Sequence, residues 1–127
     1  MFNKELALDC LHTIKEAVEQ IINRASVIQS PKDFLCSPDG MLRLDALCMN
    51  LITLGETVKG LEKITRGELL PAYPDVYWQG VMRMRDKIAH HYFEIDADVV
   101  FSTIKQDILQ MLPVIQKMIE NLTGHTI

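Results

Sequence analysis

Four segments of the chain repeat apolar residues at steps of three and four, and this spacing constrains the fold more than any other feature. It puts the apolar side chains on one side of an α-helix, because a helix completes a turn every 3.6 residues. An amphipathic helix must cover its apolar side, so the sequence predicts an all-α, up-and-down bundle of four main helices. The stripes are Leu11, Ile14, Val18, Ile21, Ala25 and Ile28; Leu47, Leu51, Leu54, Val58 and Leu61; Val81, Met84 and Ile88; and Val100, Ile104, Ile108, Leu112, Ile115 and Ile119.

Capping residues and helix breakers set the predicted limits of these helices. Two internal residues depart from ordinary helix chemistry. Gly55 costs about 1 kcal/mol relative to alanine, and close approach of another helix or chain would explain that cost. Pro113 is expected to kink the last helix. The predicted helices run from Asn3 to about Ile28, from Ser37 to near Arg66 and Gly67, from about Val76 to His91, and from Asp96 to about Leu122.

Length and composition predict one globular domain, residues 1–127, without a membrane segment. Hydrophobic residues make up 48% of the chain, and six glycines and five prolines are too few for a disordered or fibrous protein. Charged residues interrupt every apolar run, and the N-terminus has no signal-peptide pattern, so the expected location is the cytoplasm. The three cysteines form no paired motif and are expected to be reduced thiols.

The formal charge of -4 argues against a generally basic, nucleic-acid-binding surface. A local basic cleft is still compatible with it. The residues that could form such a cleft are Lys59, Lys63 and Arg66 on the second predicted helix and Arg83, Arg85 and Lys87 on the third.

Polar chemistry is concentrated at the end of the third helix, where Arg85, four residues, His90, one residue and Tyr92 follow one another. This Arg-x4-His-x-Tyr pattern resembles the signature of the HEPN ribonucleases, and most closely that of HepT-like toxins. Asp86, His91 and Phe93 around the motif fit the resemblance. The similarity extends over most of the chain, through Tyr73-Pro74, Trp78, Ile95-Asp96 and the Gly-Glu segment Leu54-Gly55-Glu56-Thr57-Val58-Lys59.

The resemblance implies RNA cleavage, for which the motif has suitable residue types. RNA supplies its own nucleophile, the 2′-hydroxyl, so cleavage needs proton transfer and a positive charge for the phosphate, and no metal or cofactor is expected. Histidine suits the proton transfers, which assigns them to His90. A guanidinium suits the phosphate, which assigns it to Arg85. The expected product carries a 2′,3′-cyclic phosphate.

Four neighbours have predicted supporting roles. Asp86 precedes His90 by one helical turn and is expected either to hold the imidazole or to be an ordinary surface carboxylate. His91 is a bystander or a second proton carrier, and Arg83 and Lys87 assist RNA binding or solvate the helix. No His and Cys set has metal-ligand spacing, so no metal site is predicted. Upstream, Glu56 is either a solvated charge or a residue of the cleft.

The spacing of Arg85 and His90 raises a geometric problem. Five residues of an ideal helix separate them by about 140° around its axis. Either the helix distorts at His90, or each site combines residues from two copies of the chain. The resemblance implies the second, a composite cleft in a homodimer.

The resemblance also implies a role for Tyr92 and a partner protein. In HepT-like toxins the tyrosine of this motif receives AMP from a minimal nucleotidyltransferase antitoxin of the MntA type, which silences the toxin. A bulky anionic group near Arg85 would repel RNA. The alternative is a non-catalytic helical module that binds such a nucleotidyltransferase. Three aromatic residues lie at the junction between the loop and the third helix, namely Tyr73, Tyr77 and Trp78. They either stack on bases or pack at the helix entrance, and packing is expected for Trp78 at least.

Overall fold

The computed structural model describes residues 2–124, and all regular structure in that part of the chain is helical. The predicted all-α class is therefore confirmed. A short helix and two 3-10 turns, Leu70–Ala72 and Tyr92–Glu94, lie in the connections. The helices are α1 (Lys4–Ala25), α2 (Lys32–Leu35), α3 (Pro38–Ile64), α4 (Trp78–His90), α5 (Ala97–Ser102) and α6 (Leu109–Thr123), with a π-helical segment, Thr103–Ile108, joining the last two.

Local side-chain chemistry explains where the main helices begin. The side chain of Ser37 accepts a hydrogen bond from the amide of Gly40 at 3.0 Å, with Pro38 at the first helical position. Asp96 accepts from the amide of Asp98 at 2.8 Å. Both predicted N-caps are thus confirmed. The end of α3 is also close to the prediction, since Gly67 adopts a left-handed φ of 72° shortly after the last helical residue.

The core forms around α3, which packs against α1 on one side and α4 on another, while α1 also packs against α6. Every residue of the first two predicted stripes is buried. Trp78 is 7% exposed and its Nε1 donates to the carbonyl oxygen of Tyr73 at 2.9 Å. This arrangement confirms the packing interpretation for Trp78 and anchors the start of α4 to the preceding loop.

The last helix differs from its predicted form. The chain leaves α-helical geometry at Thr103–Ile108, whereas Pro113 lies inside α6 without interrupting it. Met111 is fully buried, three residues after Ile108 and four before Ile115, whereas Leu112 is only half-buried.

Two further boundaries depart from the sequence prediction. Helix α1 ends at Ala25, three residues early, and the four-residue helix α2 was not predicted because it is too short to show periodicity. Among residues 2–124, no helix combines the length and hydropathy needed to cross a membrane. The three cysteines are all free thiols.

Candidate active site

The motif residues lie along α4 and the turn that follows it. Arg85 is in the middle of the helix, His90 is its last residue, His91 is the C-cap, and Tyr92 opens the next 3-10 turn. The backbone is α-helical through His90, so the predicted alternative of a helix distorted before this residue is wrong. Arg85 and His90 therefore point about 140° apart around the axis of α4.

Arg85 is packed tightly against α3 at Gly55. An ideal Cβ on Gly55 would lie 2.2 Å from Cβ of Arg85 and 3.3 Å from the carbonyl oxygen of Val81. Real carbon atoms do not approach so closely, so only glycine allows α4 this position. Close approach of another helix, one of the two predicted reasons for a glycine here, is confirmed. The contact fixes the stem of Arg85 at one level of α3.

Two carboxylates and one ammonium surround the Arg85 guanidinium. Glu56 forms an ion pair with Nε, and Asp86 Oδ1 lies 3.0 Å from NH1. Lys59 Nζ donates to the same oxygen of Asp86 at 2.5 Å. Hydrogen bonds from Lys59 and then Arg85 lower the pKa of the Asp86 carboxyl. The four side chains, Arg85, Glu56, Asp86 and Lys59, are called the arginine cluster below.

The arginine cluster has two positive and two negative groups, so it carries no net charge. The sequence left a basic cleft possible, with Arg85 and Lys59 among its residues, because spacing reveals neither Glu56 nor Asp86 as their counter-ions. The predicted contact of Asp86 with His90 is not formed either. Within residues 2–124, His90 makes no hydrogen bond or ion pair, and Asp86 is held by Lys59 and Arg85 instead.

The remaining polar residues of α4 are exposed and lie away from the arginine cluster. Arg83 donates from NH1 to the hydroxyl of Tyr77 at 2.7 Å and stacks over its ring. Lys87 and His90 are exposed at the next positions of the same helical stripe, spaced four and three residues on. His91 Nδ1 lies 3.9 Å from Glu94, also in solvent. The structure thus groups His90 with Arg83 and Lys87, and leaves Arg85 on a different side of the helix.

Tyr92 has a partner that sequence reasoning missed. Its hydroxyl donates to Oδ1 of Asp45 on α3, and this hydrogen bond is the main cause that raises the pKa of Tyr92 to about 12. The ring is 41% exposed and lies edge-on to Phe93, which is fully exposed. A shallow groove lies between α3 and α4 beside this tyrosine. Its lining residues are Asp45, Met49, Ile52, Ile88, Ala89 and Tyr92.

The motif residues that contact α3, Arg85 and Tyr92, therefore both bind to the same face of this helix. The signal was present in the sequence, because these positions recur at steps of four and three. These positions form a partly exposed stripe of mainly charged residues beside the buried stripe. In the sequence such a stripe cannot be told from ordinary solvent-exposed surface. The α3 site face consists of Asp45, Met49, Ile52, Glu56 and Lys59.

Arg85 and Tyr92 are well separated along this face. Arg85 pairs with Glu56 and Tyr92 with Asp45, eleven positions apart on one α-helix. At 1.5 Å per residue, the two contacts lie about 16 Å apart along α3. A group attached to the Tyr92 hydroxyl is consequently not adjacent to the arginine of the same chain. Among residues 2–124, no three His, Cys, Asp or Glu side chains lie close enough together to ligate one metal ion.

Comparison with known proteins places this arrangement in a family. The family model described as "Ribonuclease HepT-like" matches residues 14–118, which contain α3, α4 and the whole motif. The chain is 33% identical over 100 residues to the "Probable ribonuclease HepT" of Thermococcus cleftensis, an alignment that covers 79% of this chain and 84% of that protein.

Two other relatives have names that propose an RNase. One, from Caldanaerobacter subterraneus, is 30% identical over 112 residues, which is 88% of this chain and 89% of that protein. Another, from Methanocaldococcus jannaschii, is 30% identical over 79 residues, and this alignment spans 62% of each chain, less than two thirds of the relative. No solved structure shows a significant match. The family-model match covers most of the chain and includes the motif on α4, so this protein belongs to the HepT-like ribonuclease family.

Proposed function

We propose that this chain is a metal-independent endoribonuclease of a toxin–antitoxin system, with Arg85 and His90 as its catalytic pair. The observation that carries the proposal is the placement of Arg85 in a chain of this family. Its stem is fixed against Gly55, while its side chain retains 23% exposure from which the guanidinium can reach a phosphate. A guanidinium that is fixed in position and always charged is suited to stabilise the pentacoordinate phosphorus of the transition state.

The proposed reaction proceeds through the 2′-hydroxyl of RNA. A histidine base removes the proton as the 2′-oxygen attacks phosphorus, and the bond from phosphorus to the 5′-oxygen breaks. An acid protonates the leaving oxygen, which leaves a 2′,3′-cyclic phosphate and a free 5′-hydroxyl. His90 is exposed at the end of α4 and free to take part in either proton transfer.

A homodimer would bring Arg85 of one copy and His90 of the other to the same phosphate, which a single chain does not do. The side chains of Arg85 and His90 diverge on an undistorted helix, so a phosphate contacted by both calls for a second copy. Apolar side chains exposed beside the motif support such an interface: Phe93 is fully exposed, Met49 63% and Tyr92 41%. Exposed apolar groups that cluster in this way are typical of association surfaces. Sedimentation of the protein at micromolar concentration tests the proposal, and a strict monomer would refute it.

Regulation by AMP attachment at Tyr92 is the second part of the proposal, and the partner is an MntA-like nucleotidyltransferase antitoxin acting in the cytoplasm. Tyr92 lies beyond the end of α4 with its ring partly exposed, which suits access by another protein. Because its hydroxyl lies about 16 Å from the Arg85 contact along α3, an attached AMP would act on the arginine of the second copy or on the RNA path.

An alternative function is supported by one observation. The arginine cluster carries no net charge, and the whole chain has a formal charge of -4, so the free protein does not offer RNA a basic surface there. A non-catalytic helical partner of a minimal nucleotidyltransferase would have no need of one. This chain would then be an interaction module.

Cleavage assays separate the two functions. Purified protein is incubated with end-labelled tRNA and mRNA in EDTA, beside Arg85→Ala, His90→Ala and, as a matched control, His12→Ala, which removes an exposed histidine of α1. Cyclic-phosphate ends that disappear in the first two variants and persist in the third support the nuclease. Absence of cleavage by the unmodified dimer, or cleavage indifferent to Arg85 and His90, favours the interaction module.

AMP attachment requires its own measurement. The chain is incubated with an MntA-like nucleotidyltransferase and ATP, and the masses of its tryptic peptides are measured. The expected result is one added AMP on the peptide that contains Tyr92, lost in Tyr92→Phe and retained in Tyr77→Phe, which removes another exposed tyrosine. An unchanged mass of the Tyr92 peptide would refute this part of the proposal.

A further inference from the structure

The Arg85 guanidinium is held on two of its edges in the free chain. Glu56 from α3 is in ion-pair contact with Nε, which is buried and forms no hydrogen bond, and Asp86 accepts a hydrogen bond from NH1. A guanidinium has five N–H groups in one plane. NH1 keeps one N–H group and NH2 keeps both, so the guanidinium still has donors for two oxygens of one phosphate.

Lys59 holds the second of these carboxylates. Its Nζ donates to the same Asp86 oxygen that Arg85 contacts, across 27 positions of sequence. Asp86 is thereby tied to α3 as well as to its own helix. The side chains of Glu56, Asp86 and Lys59 are 53%, 46% and 38% exposed, so these ion pairs add little to folding stability.

We propose that Glu56 and Lys59 are positioning residues for Arg85, Glu56 by its direct ion pair and Lys59 through Asp86. Together they fix the rotation of the guanidinium so that its NH1–NH2 edge meets the phosphate of the substrate. The inference rests on the proposed nuclease function, because it assigns a purpose to the orientation of Arg85. It adds two α3 residues to a site otherwise made by α4.

The charge of Glu56 gives this role a distinctive kinetic signature. A carboxylate beside the phosphate site repels RNA, so its removal should lower KM. Loss of the orientation it imposes should lower kcat, because about 1 Å of misplacement can cost on the order of a hundredfold. A variant that merely unfolds in part would lower the amount of active protein without changing KM. The two effects are therefore separable in one experiment.

The test is steady-state cleavage of a labelled RNA in EDTA by Glu56→Ala, Glu56→Gln and Lys59→Gln, with Glu19→Ala as the control because Glu19 is an exposed carboxylate of α1. We expect Glu56→Ala to lose between about ten- and a hundredfold in kcat. Glu56→Gln keeps an acceptor oxygen and should lose less. Lys59→Gln should also lower kcat but raise KM, since it leaves Asp86 without its ammonium partner.

A double variant tests whether Glu56 acts through Arg85. In the Arg85→Ala background, further removal of Glu56 should leave the residual rate unchanged, because the effects of residues that act as one unit do not add. Independent, multiplying effects would overturn the inference. So would a Glu56→Ala or Glu56→Gln enzyme with kcat equal to or above that of the unmodified protein, which would make Glu56 a simple counter-ion or an inhibitor.

The outcomes also distinguish this inference from the function on which it rests. Cleavage that depends on Arg85 but not on Glu56 or Lys59 overturns the positioning role and leaves the nuclease intact. Absence of Arg85-dependent cleavage in the unmodified protein overturns both.

Discussion

Substitution of Gly55 by alanine tests whether the close approach of α3 and α4 holds the site together. The new Cβ would lie 2.2 Å from Cβ and 2.8 Å from Cγ of Arg85. Ordinary contact begins at 3.4 Å, so α4 would have to retreat by about 1.2 Å at this level. Rotation of the Arg85 side chain cannot relieve this contact, because the backbone fixes the position of its Cβ, and the carbonyl oxygen of Val81 also lies only 3.3 Å away.

Two opposing free energies determine the stability of this variant. Alanine is favoured over glycine inside a helix by about 1 kcal/mol. Forcing an extra carbon into a filled contact typically costs about 1–3 kcal/mol. The expected net effect is a loss of up to about 2 kcal/mol in the free energy of unfolding. The effect on catalysis should be larger, because a shift of about 1 Å at Arg85 can lower kcat on the order of a hundredfold.

Gly60 provides the matched control in the same helix. Nothing lies within 4 Å of a Cβ built on Gly60, so Gly60→Ala should stabilise the protein by up to about 1 kcal/mol and leave activity unchanged. Urea denaturation gives the free energy of unfolding of both variants, and RNA cleavage in EDTA gives kcat. If Gly55→Ala were as stable and as active as Gly60→Ala, the assigned contact between α3 and α4 would be wrong.

Three further predictions concern contacts away from the approach of α3 and α4 at Gly55. The hydrogen bond to Asp45 raises the pKa of Tyr92 to about 12, so it stabilises the fold below the ordinary tyrosine pKa of 10 and this stability is lost as pH rises toward 12. Asp45→Asn should shift the tyrosinate absorbance titration to lower pH, and an unchanged titration would contradict the contact. Asp86 has a lowered pKa, so its contacts stabilise the fold above pH 3.8 and cease to do so as acid protonates it. NMR titration of the Asp86 carboxyl should therefore give a midpoint below 3.8, and a midpoint at or above 3.8 would count against these ion pairs. Trp78→Phe removes the donor to the Tyr73 carbonyl and should lower the free energy of unfolding by about 1–3 kcal/mol, whereas unaltered urea midpoints would disprove that role.

Much of the scaffold was predictable because its determinants are local. The stripes of Leu11 to Ile28 and Leu47 to Leu61 are buried as their spacing requires, and Ser37 and Asp96 cap the helices they precede. Helix α2 escaped prediction because four residues are too few to show a period. The burial of Met111 rather than Leu112 escaped it because both positions lie one helical turn after Ile108, and spacing alone does not decide between them.

The candidate site was predictable only in part. Arg85, His90 and Tyr92 are recognisable from their order along the chain, and the family comparison is consistent with that reading of the motif. Their roles and the dimer remain predictions. Glu56 was left open between solvent and cleft, and the structure places it on Arg85.

By itself, the sequence determined the main helices, the buried sides of the first two and the order of the polar residues on α4, because each depends on neighbours within a few positions. Only the tertiary structure decided which turn of α3 lies opposite each turn of α4. Asp86 was expected either to hold His90, four residues away, or to be a surface carboxylate. Its partner on α3 is instead Lys59, 27 positions away. Helical spacing fixes the direction of a side chain around its own axis. The level of the neighbouring helix is fixed by packing, here by the missing side chain of Gly55, which brings Arg85 to Glu56.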